Sequence, residues 1–179
     1  IADTDSSVLI YGETGTGKEL VAESIHTASK RAGKRFVSQN CAAIPGNLLE
    51  SILFGTKKGS YTGAENKPGL FEIANGGTLF LDEINSMELN VQAKILKAIE
   101  EKQVVRLGGY EPIKTDIKVI SAVNERPMDC VKAGKLREDL FYRLSVVQVN
   151  IPPLRERRDD ILYMTNRFIE TYNRSMRRD

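Results

Sequence analysis

The sequence is poor in residues that form disulfides or bind transition metals. Its 179 residues include two cysteines, Cys41 and Cys130, a single histidine, His26, and no tryptophan. Two cysteines cannot make a disulfide framework, and no cysteine–histidine spacing matches a zinc site. We therefore expect both thiols to be buried as small apolar groups. His26 falls on a predicted helix, where we expect it to be exposed to solvent and not catalytic.

Neither a strong charge of one sign nor a long apolar run is present. The 26 basic and 24 acidic residues leave a formal net charge of +2, and residues 155–179, with seven arginines and five acidic residues, account for all of it. This balance argues against a strongly basic surface for nucleic acid. No apolar run of about eighteen residues and no signal-peptide pattern occurs, so we expect a cytoplasmic protein without membrane contact.

The length is that of one ordinary domain, with no room for a second. The first apolar run starts at residue 8, and the last helical pattern reaches the final residues without a stop signal. We therefore expect the chain to be a fragment of a longer protein.

A glycine-rich stretch after the first apolar run predicts a phosphate-binding loop. It has the spacing G-x-x-x-x-G-K and consists of Gly12, Glu13, Thr14, Gly15, Thr16, Gly17, Lys18 and Glu19. Backbone N–H groups of such a loop point at phosphate oxygens, while the lysine reaches the outer phosphates. A plain glycine-rich turn is the alternative, but the complete spacing between a predicted strand and helix favours phosphate binding. Glu19 stands where the common form has a serine or threonine that binds magnesium.

Five short apolar runs predict the strands of an α/β fold. They cover residues 8–11, 36–39, 78–81, 117–122 and 147–151. Helical spacing of apolar residues between them is typical of a parallel sheet with helices on both faces. The positions we expect to be buried in the first two helices are Leu20, Val21, Ser24, Ile25, Ala28, Leu48, Leu49, Ile52 and Leu53. Residues 103–114, with two central glycines and a proline, predict a hairpin-like insertion.

Polar residues follow the third and fourth predicted strands. Asp82 and Glu83 come directly after residues 78–81, and Asn124 comes shortly after residues 117–122. Ligands of parallel sheets bind beyond the carboxyl ends of the strands. Asp82 can therefore hold a metal ion, Glu83 can deprotonate an attacking water, and Asn124 can sense a terminal phosphate. Capping of the following helix is the alternative for the two carboxylates, but the phosphate loop upstream favours catalysis.

Two further segments carry candidate contact residues. Arg137 and Arg143 lie six positions apart on a predicted helix, so they cannot share one face and could serve two different contacts. Two solvated arginines are the alternative. Residues 55–64 contain three glycines and Tyr61, which predicts a hinged loop with an exposed aromatic contact point.

Taken together, the motifs closely resemble the AAA+ ATPase domain of the sigma-54-dependent transcription activators, also called bacterial enhancer-binding proteins. The resemblance covers nearly the whole chain. The family's loop motif Gly-Ala-Phe-Thr-Gly-Ala corresponds to Gly59, Ser60, Tyr61, Thr62, Gly63 and Ala64, which we call the 59–64 loop. The other matching segments are residues 12–19, 40–42, 76–83, 137–140 and 152–157.

This resemblance implies a three-layer P-loop NTPase core of AAA+ type in residues 1–154. Residues 155–179 would be the start of a helical lid that is largely missing. ATP and Mg²⁺ would bind at residues 12–19 and at Asp82, with Glu19 as the family's own variant of its position. The site would lie between subunits of a ring, usually a hexamer. Arg137 and Arg143 match arginine fingers that act on the neighbouring subunit, and Asn40 matches the residue whose amide restrains the catalytic Glu83.

The resemblance also implies the partners. Hydrolysis would move the 59–64 loop against sigma-54 in the RNA polymerase holoenzyme and remodel the closed complex toward promoter opening. DNA would be bound only through a domain absent from this chain.

Some positions depart from the family pattern. Ser60 and Tyr61 replace alanine and phenylalanine, Val123 stands where a threonine is common, and Thr56-Lys57 replaces His-Glu. The change at Val123 leaves phosphate sensing to Asn124 alone. Among other functions, a protease-associated unfoldase would need a different pore-loop motif. A GTPase-type switch would need Asn-Lys-x-Asp, which residues 66–69 do not provide. A further alternative is that the chain is a scaffold that does not hydrolyse nucleotide.

Overall fold

The chain alternates short strands with helices, as the apolar runs predict. A computed structural model describes residues 1–61 and 63–176. In chain order its elements are β1 (Val8–Tyr11), α1 (Lys18–Thr27), β2 (Phe36–Asn40), α2 (Gly46–Phe54), β3 (Gly55–Thr56), β4 (Lys67–Pro68), α3 (Leu70–Ile73), β5 (Thr78–Asp82), α4 (Leu89–Glu101), β6 (Gln103–Val104), β7 (Ile113–Lys114), β8 (Lys118–Val123), α5 (Pro127–Lys132), α6 (Glu138–Leu144), β9 (Val147–Asn150) and α7 (Arg158–Met176). Two 3₁₀ turns cover Ile84–Ser86 and Leu154–Glu156.

The five longer strands form one sheet in the order β2-β5-β8-β1-β9. Every neighbouring pair runs parallel. Parallel neighbours require crossover connections, which the helices supply. The predicted α/β class with a five-stranded parallel sheet is confirmed. Because all five strands point the same way, their carboxyl ends lie along one edge of the sheet.

The core is divided between the two faces of this sheet. Val8 and Ile10 of β1 belong to one apolar cluster together with Ala22 of α1. Leu9, between them, belongs to a second cluster that includes Leu49 of α2 and residues of α4 and α6. Alternate residues of a strand point to opposite faces, so a sheet that is covered on both sides needs nearly continuous apolar strands.

Two small antiparallel pairs lie outside the main sheet. Strands β6 and β7 pair through Gln103 with Lys114 and Val104 with Ile113, which confirms the predicted hairpin at residues 103–114. Strands β3 and β4 pair across the 59–64 loop. Cys41 and Cys130 are free and buried, as expected.

Five expectations about burial are wrong. Leu20, Ser24, Ala28 and Leu48 are exposed. His26 of α1 is buried, with its Nδ1 2.9 Å from Thr78 Oγ1 and its ring against Phe36. Helix α1 meets the sheet along the stripe of Ala22 and His26, which are four residues apart and therefore share a face. Leu20 lies about 200° around the helix from Ala22 and points away from the sheet.

Candidate functional site

The predicted phosphate loop connects the carboxyl end of β1 to the first residue of α1. Gly15 and Gly17 have φ values of 83° and 93°, in the left-handed region that glycine adopts at little cost. A β-carbon at Gly12 would lie 2.6 Å from the carbonyl oxygen of Ile151 and 2.9 Å from Thr16 Oγ1. The backbone of this loop therefore requires the glycines that the sequence places there.

Lys18 is buried inside this loop. Its Nζ donates hydrogen bonds of 2.8 Å to the carbonyl oxygen of Gly12 and 3.2 Å to that of Glu13. The carbonyl dipoles compensate the buried ammonium charge. An amine held only by loop carbonyls can exchange them for the oxygens of an anion without moving its backbone.

Two arginines that the sequence reasoning did not assign also contact the loop. Arg155 donates two hydrogen bonds, of 2.8 and 2.5 Å, to the carboxylate of Glu13, and Arg157 donates one of 3.1 Å to the carbonyl oxygen of Thr16. The hydrogen bonds from Arg155 hold the pKa of Glu13 below its usual value. The sequence could have pointed to these two arginines, because both belong to segment 152–157, which matches the family.

The two predicted catalytic carboxylates lie at the end of β5. Asp82 is its last residue and accepts a hydrogen bond of 3.0 Å from the backbone N–H of Glu83. Glu83 has φ 54° and ψ 48°, a left-handed conformation that is uncommon for a residue with a side chain. Strained backbone of this kind concentrates at functional sites.

Asn40 lies beside these carboxylates, at the end of the neighbouring strand. It is paired in register with Asp82 across β2 and β5. Its side-chain oxygen accepts hydrogen bonds of 3.0 and 3.2 Å from the backbone N–H groups of Ala42 and Ala43. In this conformation the Asn40 amide oxygen holds the turn after β2.

Asn124 follows β8 and is joined to the turn after β5. Asn85 Nδ2 donates a hydrogen bond of 3.0 Å to Asn124 Oδ1. Asn85 Oδ1 is buried and has no hydrogen-bond partner among the described residues. Sequence reasoning missed Asn85, which lies two residues after Glu83 and links the ends of two central strands.

The carboxyl edge of the sheet therefore brings most of the predicted residues together. The N–H of Gly12 donates to the carbonyl oxygen of Val123, which joins the phosphate loop to the end of β8. A cavity of about 510 Å³ opens beside Gly12 and Asn124. A second cavity, of about 600 Å³, lies beside residues 13–17 of the loop and is also lined by Met164 and Phe168 of α7.

Glu19 and Cys41 lie next to β2, the strand beside β5. Glu19 Oε1 accepts a hydrogen bond of 2.7 Å from Ser38 Oγ of β2. Burial raises the pKa of the Cys41 thiol, and the negative charges of Asp82 and Glu83 raise it further. The thiol therefore stays protonated and is not a nucleophile.

Arg137 and Arg143 do not line either cavity. Arg137 pairs with Asp139 through hydrogen bonds of 3.0 and 2.7 Å, and these raise the pKa of its guanidinium. Arg143 is exposed, with a single contact of 3.4 Å from Nη2 to the carbonyl oxygen of Ile99. Within one chain, both arginines are thus held apart from the phosphate loop.

A buried glutamine that sequence reasoning also missed fixes the start of α6. Gln92 Oε1 accepts a hydrogen bond of 2.9 Å from the N–H of Arg137, while its Nε2 donates to the carbonyl oxygens of Met87 and Lys135. The sequence offered one indication of this role, because Gln92 is a polar residue at a position of α4 where the helical spacing places apolar residues.

Tyr61 of the 59–64 loop is 54% exposed, as predicted, and Ala64 at the end of the loop is buried. The N–H of Ala64 donates a hydrogen bond of 3.0 Å to the carbonyl oxygen of Tyr61. Thr62 lies outside the described residues.

Comparison with known protein families identifies the chain. Residues 1–150 match the family described as the sigma-54 interaction domain. The chain belongs to this family. The resemblance drawn from the 59–64 loop and the other motifs is thereby confirmed.

Curated relatives from several bacteria are similar over nearly the whole chain. The transcriptional activator RocR of Bacillus subtilis is 56% identical over 170 residues, which are 95% of this chain and 37% of RocR. The transcriptional regulator NtrC of Escherichia coli K12 is 50% identical over 171 residues, which are 95% of this chain and 36% of NtrC. The chain thus spans less than two fifths of these relatives.

Solved structures agree with the fold. NtrX from Brucella abortus in complex with ADP superposes with a TM-score of 0.90 at 39% identity, over 98% of this chain and 38% of that one. The complex with ATP gives a TM-score of 0.87 at 41% identity, over 96% of this chain and 39% of that one. The P-loop NTPase domain of an Escherichia coli sigma-54 activator gives 0.56 at 18% identity, over 86% of this chain and 87% of that one, which supports the fold alone.

No helix among residues 1–61 and 63–176 combines the length and the apolar character needed to cross a membrane.

Proposed function

We propose that this chain is the ATP-hydrolysing central domain of a sigma-54-dependent transcriptional activator. It couples hydrolysis to remodelling of the closed sigma-54 RNA polymerase complex through the 59–64 loop. The observation that carries the proposal is the buried Lys18 in a glycine-dependent loop, at the same sheet edge as Asp82 and Glu83. Family membership and the nucleotide complexes of NtrX support it.

Residues 12–19 bind the phosphates of ATP in this proposal. Lys18 Nζ leaves the carbonyl oxygens of Gly12 and Glu13 and binds the outer phosphates, while loop N–H groups and the amino end of α1 stabilise their charge. Met164 and Phe168 of α7 line the cavity beside the loop and offer apolar surface to the base of the nucleotide. Residues 1–154 then form the ATPase core, and residues 155–179 begin the lid.

Asp82 and Glu83 have different roles in the proposed hydrolysis. Glu83 accepts a proton from the attacking water, and it follows β5 at the same sheet edge as the phosphate loop. Asp82 would hold Mg²⁺, which would supply positive charge to neutralise the phosphates. Mg²⁺ keeps several waters and needs only one or two carboxylates besides the phosphates. Asp82 fits that requirement, although the described residues contain no cluster of three or more metal-ligating side chains.

The remaining site residues act around this centre. Asn124, held by Asn85, senses the terminal phosphate, and Asn40 restrains Glu83 once its amide turns from the backbone of residues 42–43. Arg137 and Arg143 complete the site of a neighbouring subunit in a homo-oligomeric ring, and the supporting observation is that neither arginine lines the cavities beside its own loop. An arginine supplied in trans can raise the rate about a thousandfold or more.

We infer a cytoplasmic location and contact with DNA only through parts of the full protein outside this chain. The partner contact is made by Gly59, Ser60, Tyr61, Thr62, Gly63 and Ala64. Among these, the exposed Tyr61 is the side chain best placed to contact sigma-54.

The test measures binding of purified sigma-54 in the presence of ADP and a phosphate-mimicking metal fluoride. We expect a complex that forms only with the trapped nucleotide and is lost on Tyr61→Ala. Tyr163→Ala, which removes an exposed tyrosine from α7, is the matched control and should bind normally. Sigma-54 binding that ignores the nucleotide would contradict the proposed coupling.

A further inference from the structure

One residue of the phosphate loop carries a negative charge that opposes the binding of phosphates. Glu13 is the only acidic residue among residues 12–18, a segment that is proposed to bind ATP. A carboxylate repels phosphates that bind beside it, because exposed charges of the same sign interact over about 10 Å in 0.1 M salt. A phosphate loop that contains Glu13 therefore needs a group that cancels this charge.

The backbone of Glu13 nevertheless has a central position in the loop. Its carbonyl oxygen accepts hydrogen bonds of 3.2 Å from Lys18 Nζ, 2.8 Å from Thr16 Oγ1 and 3.3 Å from the N–H of Thr16. Three donors of the loop thus converge on one oxygen. A shift of Glu13 therefore changes the positions from which Lys18 and Thr16 reach a nucleotide.

Arg155 binds the Glu13 carboxylate from a distant part of the chain. Its Nη1 and Nη2 donate hydrogen bonds of 2.8 and 2.5 Å to the two carboxylate oxygens, across a separation of 142 residues. Two parallel hydrogen bonds of this kind fix the orientation of the carboxylate as well as compensating its charge. Both side chains are more than half exposed, and an exposed ion pair adds little to the stability of a fold. The main effect of the pair therefore falls on the loop and not on folding stability.

The pair stays ionic at neutral pH. The hydrogen bonds from Arg155 hold the pKa of Glu13 below its usual value, so the carboxylate keeps its charge and does not lose it by taking up a proton. Compensation of this charge thus depends on the arginine. Arg155 also approaches Glu156, but only at 3.9 Å, so Glu13 is its principal partner.

A second arginine holds the same loop from the same part of the chain. Arg157 Nη2 donates a hydrogen bond of 3.1 Å to the carbonyl oxygen of Thr16. Both arginines lie in the short segment between β9 and α7. Together with Glu13 and Thr16, they line the cavity of about 600 Å³ beside the loop. The phosphate loop is therefore held at two points by a segment that is remote in sequence.

We propose that Arg155 is a positioning residue for the nucleotide, which cancels the charge of Glu13 and holds this residue so that the phosphate loop can accept ATP. The inference rests on the proposed function, because the ligand is the nucleotide of that site. Arg155 acts here through Glu13 and does not contact the nucleotide itself. Its effect on nucleotide binding consequently depends on the presence of the Glu13 carboxylate.

The first experiment is a double-mutant cycle in the full-length protein, measured as affinity for a fluorescent ATP analogue. Arg155→Gln should weaken binding about tenfold, which is within the range of coupling between residues of one ion pair. In the Glu13→Gln background the same change should alter affinity less than about twofold, because no carboxylate is left to cancel. Arg158→Gln is the matched control, since Arg158 is exposed and forms no ion pair among the described residues. It removes the same charge and should bind like the wild type.

The second experiment measures the steady-state ATPase rate. Arg155→Gln should raise KM for ATP about tenfold and leave kcat within about twofold, because a loss of binding shared by ground state and transition state raises KM alone. The KM ratio of Arg155→Gln to wild type should shrink as salt rises from about 0.05 to 0.5 M, since salt screens the repulsion from an unpaired carboxylate. Arg155→Lys keeps the charge but loses the paired geometry, so its KM should lie between the two. A role confined to folding would produce neither the salt dependence nor this order.

The outcomes separate the two proposals. A defect of Arg155→Gln that persists in full in the Glu13→Gln background would overturn the inference, because Arg155 would then act without Glu13. Unchanged affinity of Arg155→Gln, or a KM ratio that does not respond to salt, would overturn it as well. These three results leave the proposed function intact, since the wild type still binds and hydrolyses ATP. A wild type that does not bind the ATP analogue would count against the proposed function itself.

Discussion

The ion pair between Glu72 and Arg106 offers a quantitative test of how the 103–114 hairpin is held. Arg106 Nε and Nη2 donate hydrogen bonds of 2.8 and 2.6 Å to the two carboxylate oxygens of Glu72. Glu72 Oε1 also accepts a hydrogen bond of 3.2 Å from the N–H of Gly69 at the start of α3. The change Glu72→Gln removes the charge while preserving the shape of the side chain.

The expected cost follows from the geometry. Breaking a fully buried ion pair costs about 3–5 kcal/mol, whereas an exposed pair contributes about 0–1 kcal/mol. The side chains of Glu72 and Arg106 are 12% and 22% exposed, so the pair lies nearer the buried limit. Glutamine keeps the contact to Gly69 and one hydrogen bond from Arg106. We therefore expect the free energy of unfolding to fall by about 2 kcal/mol at neutral pH.

The pH dependence has a definite sign. Burial alone would raise the pKa of Glu72, but the hydrogen bonds from Arg106 and Gly69 outweigh it and leave the pKa lowered. The pKa of a glutamate in an unfolded chain is about 4.3. The stabilisation is therefore complete above that value and is lost as pH falls through the lower folded pKa. The difference between wild type and Glu72→Gln should be constant near neutrality and shrink in acid.

Urea unfolding followed by circular dichroism measures this difference. With a slope of about 2 kcal/mol per molar urea, the midpoint should fall by about 1 M at pH 7. Glu65→Gln is the matched control, since Glu65 forms an ion pair with Lys67 on the exposed surface, and its midpoint should hardly move. Equal midpoints for Glu72→Gln and wild type, or a gap that does not narrow in acid, would refute the reasoning.

Three further outcomes follow from the proposed site. Glu83→Gln should keep ATP affinity in a fluorescent-nucleotide titration but abolish phosphate release, because the carboxylate that accepts the proton is gone; surviving turnover would exclude Glu83 as the base. Mixing Arg137→Ala with Asp82→Ala should restore part of the ATPase rate that each variant lacks alone, and no recovery would argue against arginines acting between subunits. Gly12→Ala should lose nucleotide binding in the same titration, since its methyl group would meet the carbonyl oxygen of Ile151. Near-normal affinity would show that the loop can accommodate a methyl group despite this short distance.

The sequence predicts the sheet and the carboxyl-edge residues because these depend on local patterns. Apolar runs identify the strands, and the G-x-x-x-x-G-K spacing and the Asp82-Glu83 pair directly follow strand ends. Side chains that meet across long separations are not visible in such patterns. His26 and Thr78 are 52 residues apart, and Gln92 and Arg137 are 45 apart. Each pairing depends on how helices are rotated on the sheet, which the spacing of apolar residues in α1 predicts wrongly.

The topology places the proposed catalytic residues and the proposed partner surface at opposite ends of the same elements. Strands β5 and β8 end at Asp82 and near Asn124, whereas the 103–114 hairpin and the Glu72–Arg106 pair lie close to the ends where these strands begin. A strand of six residues spans about 20 Å. An influence of the nucleotide on Tyr61 therefore has to pass between these two ends. β5, β8, α4 and α2 all connect them, and α2 runs from the segment after Asn40 to the base of the 59–64 loop. The variant Glu72→Gln should loosen the hairpin, whose Leu107 is hydrogen-bonded to the base of the 59–64 loop, without changing the catalytic edge of the sheet. We therefore expect it to lower sigma-54 affinity in the trapped state while leaving the ATPase rate unchanged.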